Sequence, residues 1–342
     1  MADVAQQSSG VHPRAAEGIA CVMFGMLMFV FQDGMMKSLI GTFPVWTLMS
    51  VRGFFAFLIL APVIWYMGGP HRLITPLWPL HLSRGLLLAI AFACFYSAFP
   101  FMGLAEVSTI YFSAPLMIAV LAVVFLGEKI GVHRIAALVI GFVGVIIAMN
   151  PKVDGFRWVT VLPLICALGY AASQIIARRI GDRDTALTAG LHSIVYSSIF
   201  LMPVGWLINQ IIEIDPEFRH LGWHFPPITI EFLIAFALLA LLGTTGNILL
   251  SRGYQVTSAS LVAPFDYSYL PFAALMAYFL WEEVPTVSTF VGMGLIVGSG
   301  IYLGYRELVS NRRNFSSMPV TETIVAPGSA TVTTALHPEK DG

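Results

Sequence analysis

Residues 103–128 read GLAEVSTIYFSAPLMIAVLAVVFLGE, and residues 253–283 read GYQVTSASLVAPFDYSYLPFAALMAYFLWEE. Each stretch begins with a glycine, continues with small polar residues and a proline, and ends in an apolar run before a glutamate. Pro115 follows its glycine by 12 residues and Pro264 follows its glycine by 11, and the register then slips by a few residues between Pro264 and Glu283. A repeat of this kind predicts a chain built from two related halves.

The composition around these stretches is that of a membrane protein. Of the 342 residues, 57% are hydrophobic and 11% are charged, against about 25% charged in a typical soluble domain. A net charge of -1 provides no basic surface for nucleic acid. Cys21, Cys94 and Cys166 lie far apart in apolar stretches, which predicts neither a disulfide framework nor a metal site.

Ten windows of the sequence are long and apolar enough to cross a hydrocarbon core about 30 Å thick. They cover residues 17–39, 46–66, 81–102, 107–126, 133–149, 158–178, 187–210, 230–250, 258–281 and 286–305. Each half then contains five spans, and because five is odd, the second half enters the membrane in the opposite orientation. We therefore predict an all-α integral membrane fold of ten transmembrane helices, arranged as two inverted five-helix repeats.

The distribution of positive charge predicts the orientation of the chain. With the N-terminus inside, thirteen of the eighteen Lys and Arg residues lie on the cytoplasmic side. Both termini are then cytoplasmic, in a multi-pass protein of the cytoplasmic (inner) membrane. The predicted organisation is a cytoplasmic segment 1–16, repeats 17–150 and 151–307, and a Ser- and Thr-rich disordered tail 308–342.

Short motifs in both halves resemble those of the EamA family of the drug/metabolite transporter superfamily. They are Val51-Arg52-Gly53, Ser83-Arg84-Gly85, Ala114-Pro115-Leu116, Leu126-Gly127-Glu128, the run Ala263-Pro264-Phe265-Asp266-Tyr267, and Glu283-Val284-Pro285. The resemblance implies a carrier of small organic metabolites whose helices one, three, four, six, eight and nine line a central cavity. The second half departs from the family pattern, because it reads Trp281-Glu282-Glu283 where a glycine usually precedes the glutamate. The sequence leaves open whether Glu282 or Glu283 corresponds to Glu128.

Two carboxylates lie well inside the predicted spans, away from the span ends, and a charge at the helix centre costs about 2.5 to 3.5 kcal/mol on insertion scales. Asp33 and Asp266 are therefore candidates for solute binding or proton coupling. The alternative for Asp33 is an ion pair with Lys37, one turn later on the same helix. The alternative for Asp266, which follows Pro264, is a buried structural hydrogen bond.

Neutral polar side chains at similar depth complete the candidate site. Gln32, Gln174 and Asn247 offer donors and acceptors for an organic solute, and a weak match between windows one and six places Asp33 opposite Gln174. Tyr96, Tyr111 and Tyr267 combine rings that can stack on a planar solute with hydroxyl groups that need partners when buried. Hydrogen bonding and packing between helices are the alternatives for these six residues.

The two glutamates at the ends of the repeated stretches have a different predicted role. Glu128 and Glu283 each follow a helix, where a carboxylate favours the N-terminus of the next helix. We therefore predict that they cap tight turns.

Inverted repeats build a site near the membrane midplane and expose it alternately to the two sides. This predicts a secondary active transporter that moves an amino acid, nucleoside-like, flavin or carboxylate solute by alternating access, through a water-filled crevice between the halves. A facilitated-diffusion carrier or an exchanger without proton coupling is the alternative. No catalytic constellation favours an enzyme such as a membrane-embedded transferase, and channel activity is a further rival. The expected partners are a small-molecule solute, protons and membrane lipid, with a homodimer left open, no nucleic acid and no cofactor.

Overall fold

The structure is a computed structural model that describes residues 15–68, 71–127, 131–150, 158–180, 183–211, 213–225, 227, 229–256 and 259–313. Within these ranges the chain forms α-helices and short 3-10 turns and contains no β-strand. The helices of this part are α1 (Ala15–Ile40), α2 (Val45–Met67), α3 (Trp78–Ser97), α4 (Leu104–Tyr111), α5 (Ala114–Leu126), α6 (Val132–Ala148), α7 (Val161–Ile180), α8 (Ala186–Ile211), α9 (Ile230–Val256), α10 (Ala259–Asp266), α11 (Tyr269–Trp281) and α12 (Val287–Arg313). The 3-10 turns include Trp158–Thr160 before α7 and Pro216–Leu221 after α8.

Eight helical segments of the described residues are long and apolar enough to cross a membrane. They are α1, α2, α3, the combined α4 and α5, α7, α8, α9 and α12, while α6 is apolar but shorter, with 17 residues. Large apolar side chains on the outside of the bundle are exposed. Val124 is 67% exposed and Phe279 is 75% exposed. Soluble proteins rarely expose apolar surface on this scale, and lipid accounts for it. The protein is a multi-pass membrane protein.

Two of the predicted windows are broken helices rather than single ones. The fourth window divides into α4 and α5 at Phe112 and Ser113, and the ninth divides into α10 and α11 at Tyr267 and Ser268. Each broken helix consists of 8 residues followed by 13 residues. The two therefore correspond residue by residue along their whole length.

This correspondence corrects the alignment made from the sequence. Pro115 lies in the first turn of α5, whereas Pro264 lies inside α10 before the junction, so the two prolines are not equivalent. The equivalent residues are the junction serines, Ser113 and Ser268. The slip in register therefore falls before α10 begins, and not after Pro264 as predicted.

The ends of the broken helices also identify the corresponding glutamates. α5 is followed by Gly127 with φ 69°, and α11 is followed by Glu282 with φ 56°, so both helices end in the left-handed conformation. By position along the chain, Glu283 is then the counterpart of Glu128. Glu128 itself lies outside the described residues.

Helices of the first half pack mainly on helices of the second half. α1 packs on α9, α3 on α7 and α8, α2 on α8, and α6 on α12. A Cβ atom at Gly292 of α12 would lie 2.6 Å from the carbonyl oxygen of Gly144 on α6, so this pair depends on residues without side chains. α1 contacts α3, α4 and α11, and α4 also contacts α11.

The helix ends differ slightly from the predicted domain boundaries. α1 begins at Ala15, and α12 continues to Arg313, so residues 308–313 are helical and the prediction of disorder from 308 is wrong there. Residues 1–14, 151–157 and 314–342 lie outside the described residues, and these include the predicted boundary between the repeats.

Candidate functional site

Asp33 on α1 is fully buried and accepts hydrogen bonds from both halves of the chain. The Tyr96 hydroxyl on α3 donates to Asp33 Oδ1 at 2.8 Å. The Tyr269 hydroxyl, on the first residue of α11, donates to Asp33 Oδ2 at 2.6 Å. Hydroxyl bonds to a carboxylate at such distances are among the strong ones in proteins. Asp33 therefore joins α1 and α3 of the first half to α11 of the second half.

Two further polar residues extend this arrangement. Gln32 Nε2 lies 3.3 Å from Asp33 Oδ1 and 3.5 Å from the Tyr96 hydroxyl. Ser108 Oγ on α4 lies 3.5 Å from the Tyr269 hydroxyl. We call these five residues the Asp33 cluster, and each of them is 0% exposed. The structure thus brings together three predicted candidates, Gln32, Asp33 and Tyr96.

The amide oxygen of Gln32 lies against α9. A Cβ atom at Gly243 would come within 2.2 Å of Gln32 Oε1, so the glycine provides the space that this side chain occupies. Asn247, one turn further along α9, donates to the carbonyl oxygen of Gly243 at 2.8 Å and so bonds to its own helix.

The alternative prediction for Asp33, an ion pair with Lys37, is wrong. Lys37 Nζ pairs instead with Glu283 Oε1, which follows α11. Lys37 Nζ also lies 4.9 Å from the centroid of the Trp281 ring, a favourable position for a cation. Lys37 therefore connects α1 to the end of α11, while Asp33 accepts its hydrogen bonds from the tyrosines.

Glu283 has a different capping role from the predicted one. Its Oε2 accepts a hydrogen bond from the backbone N–H of Leu104 at 3.3 Å, at the first residue of α4. A carboxylate at a helix N-terminus is favourable because the first backbone N–H groups lack partners within the helix. Glu283 thus caps a helix of the other half, and not the helix that follows it in the chain.

Aromatic side chains surround the Asp33 cluster. The ring of Phe95 lies 5.3 Å from Tyr96 and 5.6 Å from Tyr111, and Tyr111 lies 5.7 Å from Tyr170 on α7. Phe112 lies 5.5 Å from Tyr269. The aromatic wall beside the cluster therefore consists of Phe95, Tyr111, Phe112 and Tyr170.

The other candidates lie outside the cluster. The Tyr267 hydroxyl lies against Gly300 of α12, where a Cβ atom would be 1.7 Å away. Asp266 is buried as the last residue of α10, and Gln174 is buried on α7. Within the described part of the chain, none of these three side chains is hydrogen-bonded to Asp33.

Two cavities lie at the end of the bundle that contains Glu283, which we call the Glu283 end. One has a volume of about 310 Å³ and is lined by residues including Phe101, Gly103, Glu106, Glu283 and Thr289. The other has a volume of about 160 Å³ and is lined by Ile40, Gly41, Pro100, Arg219, His220 and His224. Burial lowers the pKa of His220 below its ordinary value, which favours the neutral ring. Neither cavity is lined by the Asp33 cluster, so the predicted water-filled crevice is closed at this cluster.

Polar residues also connect the halves at the opposite end of the bundle, which we call the Asp184 end. Asp184, before α8, accepts a hydrogen bond from Thr75 Oγ1 at 2.5 Å, and its Oδ2 lies 2.9 Å from His81 Nε2 on α3. The ring of His81 stacks on His192 of α8 at 5.0 Å. All four side chains are buried, so the bundle is closed at this contact too.

Sequence reasoning missed Tyr269, Ser108 and the pairing of Glu283. The sequence analysis predicted Tyr267, two residues earlier, and did not predict Tyr269. Matching the junction serines would have placed Tyr269 just after the helix break, where its hydroxyl can reach another helix.

Comparison with known proteins identifies the family. A family model described as the EamA-like transporter family matches residues 16–150 and 157–305. The chain belongs to this family. An S-adenosylmethionine uptake transporter of Rickettsia bellii is 25% identical over 85% of this chain and 94% of its own length. A riboflavin transporter of Rhizobium johnstonii is 26% identical over 92% of this chain and 99% of its own length.

The EamA-like family model matches the chain twice, once before and once after residues 151–156. The fold of this EamA-family member is also similar to a solved protein crystal structure, with a TM-score of 0.53 and 16% identity over 87% of this chain and 99% of the other. The protein is a transporter, as the resemblance implied, and its substrate is a small-molecule solute.

Proposed function

We propose that the protein is a secondary active transporter that moves a small organic metabolite across the cytoplasmic membrane by alternating access. In this proposal ten spans form two inverted repeats, both termini are cytoplasmic, and the Glu283 end faces outward. The packing supports the repeats. Exchanging the halves converts the contact of α1 with α9 into that of α7 with α3, and both contacts exist. The contacts of α2 with α8 and of α6 with α12 map onto themselves.

The Asp33 cluster is the proposed site for solute and proton. The observation that carries this proposal is one buried carboxylate bonded by tyrosines from both halves. A rocking motion between the halves changes the Asp33 to Tyr269 bond directly, because the two residues lie on opposite halves. Protonation of Asp33 or binding of a solute there would then alter the balance between the two conformations. Asp266, Gln174, Asn247, Tyr111 and Tyr267 remain candidates for the wider solute route.

The aromatic wall favours a solute with a planar ring system. Rings that meet at 5.3 to 5.7 Å around the cluster could separate to stack on such a molecule. The names of the two relatives, an S-adenosylmethionine uptake transporter and a riboflavin transporter, support nucleoside-like and flavin solutes as the first to test.

The test is solute flux in liposomes that contain the purified full chain, over a panel that includes S-adenosylmethionine, riboflavin, amino acids and carboxylates. We expect saturable flux of at least one solute and stimulation by a pH gradient. Asp33→Asn should remove the response to the gradient, because an amide cannot take up and release the proton. Asp266→Asn tests the second buried carboxylate in the same assay.

Glu17→Gln is the matched control, because Glu17 is a partly exposed carboxylate of the same helix that pairs with Arg252. Its flux should stay within about twofold of the parent, a change below about 0.5 kcal/mol. Parent flux without any response to the gradient would replace proton coupling with facilitated diffusion or exchange. Normal gradient-driven flux in Asp33→Asn would remove Asp33 from the mechanism.

A further inference from the structure

We propose that the ion pair between Lys37 and Glu283 is the gate that closes the Asp33 cluster toward the Glu283 end of the bundle. This inference rests on the proposed function, because a gate has a role only where access to the site alternates. It assigns to two residues outside the cluster a part in the transport cycle.

The position of the pair is the first argument. Lys37 lies four residues after Asp33 on α1, which is one helical turn, or about 5 to 6 Å between Cβ atoms. Glu283 lines the cavity of about 310 Å³ at the Glu283 end. A solute that moved from this cavity along α1 to Asp33 would have to pass the Lys37 to Glu283 contact.

The pair joins the elements that would have to separate. Glu283 follows α11 in the second half, and it bonds both Lys37 of α1 and the backbone N–H of Leu104 on α4 in the first half. A Cβ atom at Gly103 would lie 3.2 Å from Glu283 Oε2, so the chain before α4 lies directly against the carboxylate. One glutamate thus holds two first-half helices to the end of α11.

The layer between the pair and the cluster consists of apolar contacts. At Gly34 of α1, a Cβ atom would lie 1.6 Å from Met276 Cε and 3.4 Å from the Trp281 ring, both on α11. α1 presents only backbone here, and the flexible Met276 side chain fills the gap. Within the described residues no hydrogen bond joins Gly34 to α11, and the polar contact between α1 and the end of α11 on this side of Asp33 is the ion pair of Lys37 with Glu283.

The two partners differ in exposure. The Lys37 side chain is 9% exposed, and the Glu283 side chain is 31% exposed. Water and solutes in the cavity therefore reach the glutamate, while the lysine lies behind it against Trp281. Breaking the pair leaves a nearly buried ammonium group without its carboxylate, which favours a conformation that hydrates Lys37.

The chain provides a matched ion pair for comparison. Arg252 on α9 pairs with Glu17 on α1 at 3.0 Å, and their side chains are 48% and 42% exposed. This pair also joins the two halves at α1, but it lies far along the helix from Asp33 and faces solvent. Exposed pairs of this kind contribute about 0 to 1 kcal/mol.

The experiment measures access to the cluster through a reporter cysteine. The native residues Cys21, Cys94 and Cys166 are replaced by alanine, and Ser108→Cys places one thiol in the cluster. The purified full chain in detergent is treated with a charged, water-soluble methanethiosulfonate, and the labelling rate is followed by mass spectrometry. Lys37→Met and Glu283→Gln are each expected to raise this rate about tenfold, which corresponds to about 1.4 kcal/mol. The exchange of both residues, Lys37→Glu with Glu283→Lys, should return the rate to within about threefold of the parent.

Two controls separate gating from loss of structure. Glu17→Gln breaks the matched pair and should leave the labelling rate of the Ser108→Cys reporter unchanged. A second reporter, Ser193→Cys on α8, is buried nearer the Asp184 end and should remain slow in every gate variant. Equal labelling of Ser108→Cys in parent and both single variants would overturn the gate. Faster labelling of both reporters would also overturn it, because the variants would then have opened the whole bundle.

The labelling result does not depend on solute transport. Parent protein that transports no solute of the panel, yet shows the expected labelling, would contradict the proposed function and leave the contact as a barrier. Normal transport together with unchanged labelling would remove the gate and leave the proposed function intact.

Discussion

The two broken helices have the same shape and different chemistry. α4 with α5, and α10 with α11, each contain 8 and then 13 residues, with a serine at the break and a left-handed residue after the second piece. At matching positions, however, Tyr111 corresponds to Asp266, Ala114 to Tyr269, and Gly127 to Glu282. The repeat has therefore retained the backbone and changed the side chains.

This difference explains why the candidate site includes Tyr269 from the break of the second half and has no equivalent residue from the break of the first half. Tyr269 donates to Asp33 from the first residue of α11. The corresponding place in the first half is Ala114, and the residue opposite Asp33 is Gln174, so the corresponding contact would have neither the hydroxyl nor the carboxylate. The first half supplies the acid and the second half supplies a donor, so the rocking motion proposed above would act on the hydrogen bond between Asp33 and Tyr269.

The test with the largest expected effect removes the Tyr269 hydroxyl, which has no equivalent at Ala114 in the first half. Tyr269→Phe leaves Asp33 Oδ2 buried without the donor at 2.6 Å. A hydrogen bond to a charged group contributes about 1.5 to 3 kcal/mol. We therefore expect solute flux to fall by about tenfold or more, measured in liposomes at equal protein content.

The matched control for that change is Tyr278→Phe. Tyr278 lies on the same helix but is 53% exposed, so loss of its hydroxyl should change flux by less than about twofold. Flux at the parent level in both Tyr269→Phe and Tyr278→Phe would contradict the asymmetry. Equal losses in both would indicate damage to α11 as a whole.

The sequence predicted an all-helical, multi-pass membrane protein because long apolar windows are strong signals. The sequence also drew attention to Asp33, because a charge in an apolar helix stands out, and the structure places Asp33 together with Gln32 and Tyr96 as fully buried side chains. The predicted pairing of Lys37 with Asp33 was wrong. Asp33 is one turn away in the sequence, whereas Glu283 approaches Lys37 only through the packing of α11 on α1. Tyr269 was missed for a similar reason, since aligning the prolines hid the helix break that directs its hydroxyl. Contacts between halves depend on tertiary packing, which helical periodicity does not encode.

A second test addresses the break in the second half from the side of α12. Gly300→Ala places a Cβ atom 1.7 Å from the Tyr267 hydroxyl, and the Tyr267 ring is buried and packs 5.6 Å from Phe112. Overpacking of this kind costs about 1 to 3 kcal/mol. We expect a lower thermal unfolding temperature in detergent. Gly298→Ala, on the same helix with no atom within 4 Å of the added Cβ, should show no loss.

A lowered unfolding temperature in both alanine variants would mean that α12 itself tolerates no substitution. A normal temperature in Gly300→Ala would mean that the Tyr267 ring moves freely, and that the two junctions differ in rigidity as well as chemistry.

The smallest expected effect concerns the residues that end the two broken helices. Glu282 adopts φ 56° where the first half has Gly127 at φ 69°. The left-handed conformation costs a residue with a side chain about 1 to 2 kcal/mol, whereas glycine adopts it freely. Glu282→Gly should therefore stabilise the protein, but by less than about 1 kcal/mol, because glycine also increases the entropy of the unfolded chain. Gly127→Ala should destabilise it by a similar amount, since among the described residues, chain neighbours aside, no atom lies within 4 Å of the added Cβ and only the backbone conformation changes. Opposite shifts in the thermal unfolding temperature would show that the same backbone requirement acts at both ends of the repeat. A loss of stability in Glu282→Gly would instead mean that the Glu282 side chain contributes more than its backbone strain costs, and the two helix ends would then differ in energetics despite their shared geometry.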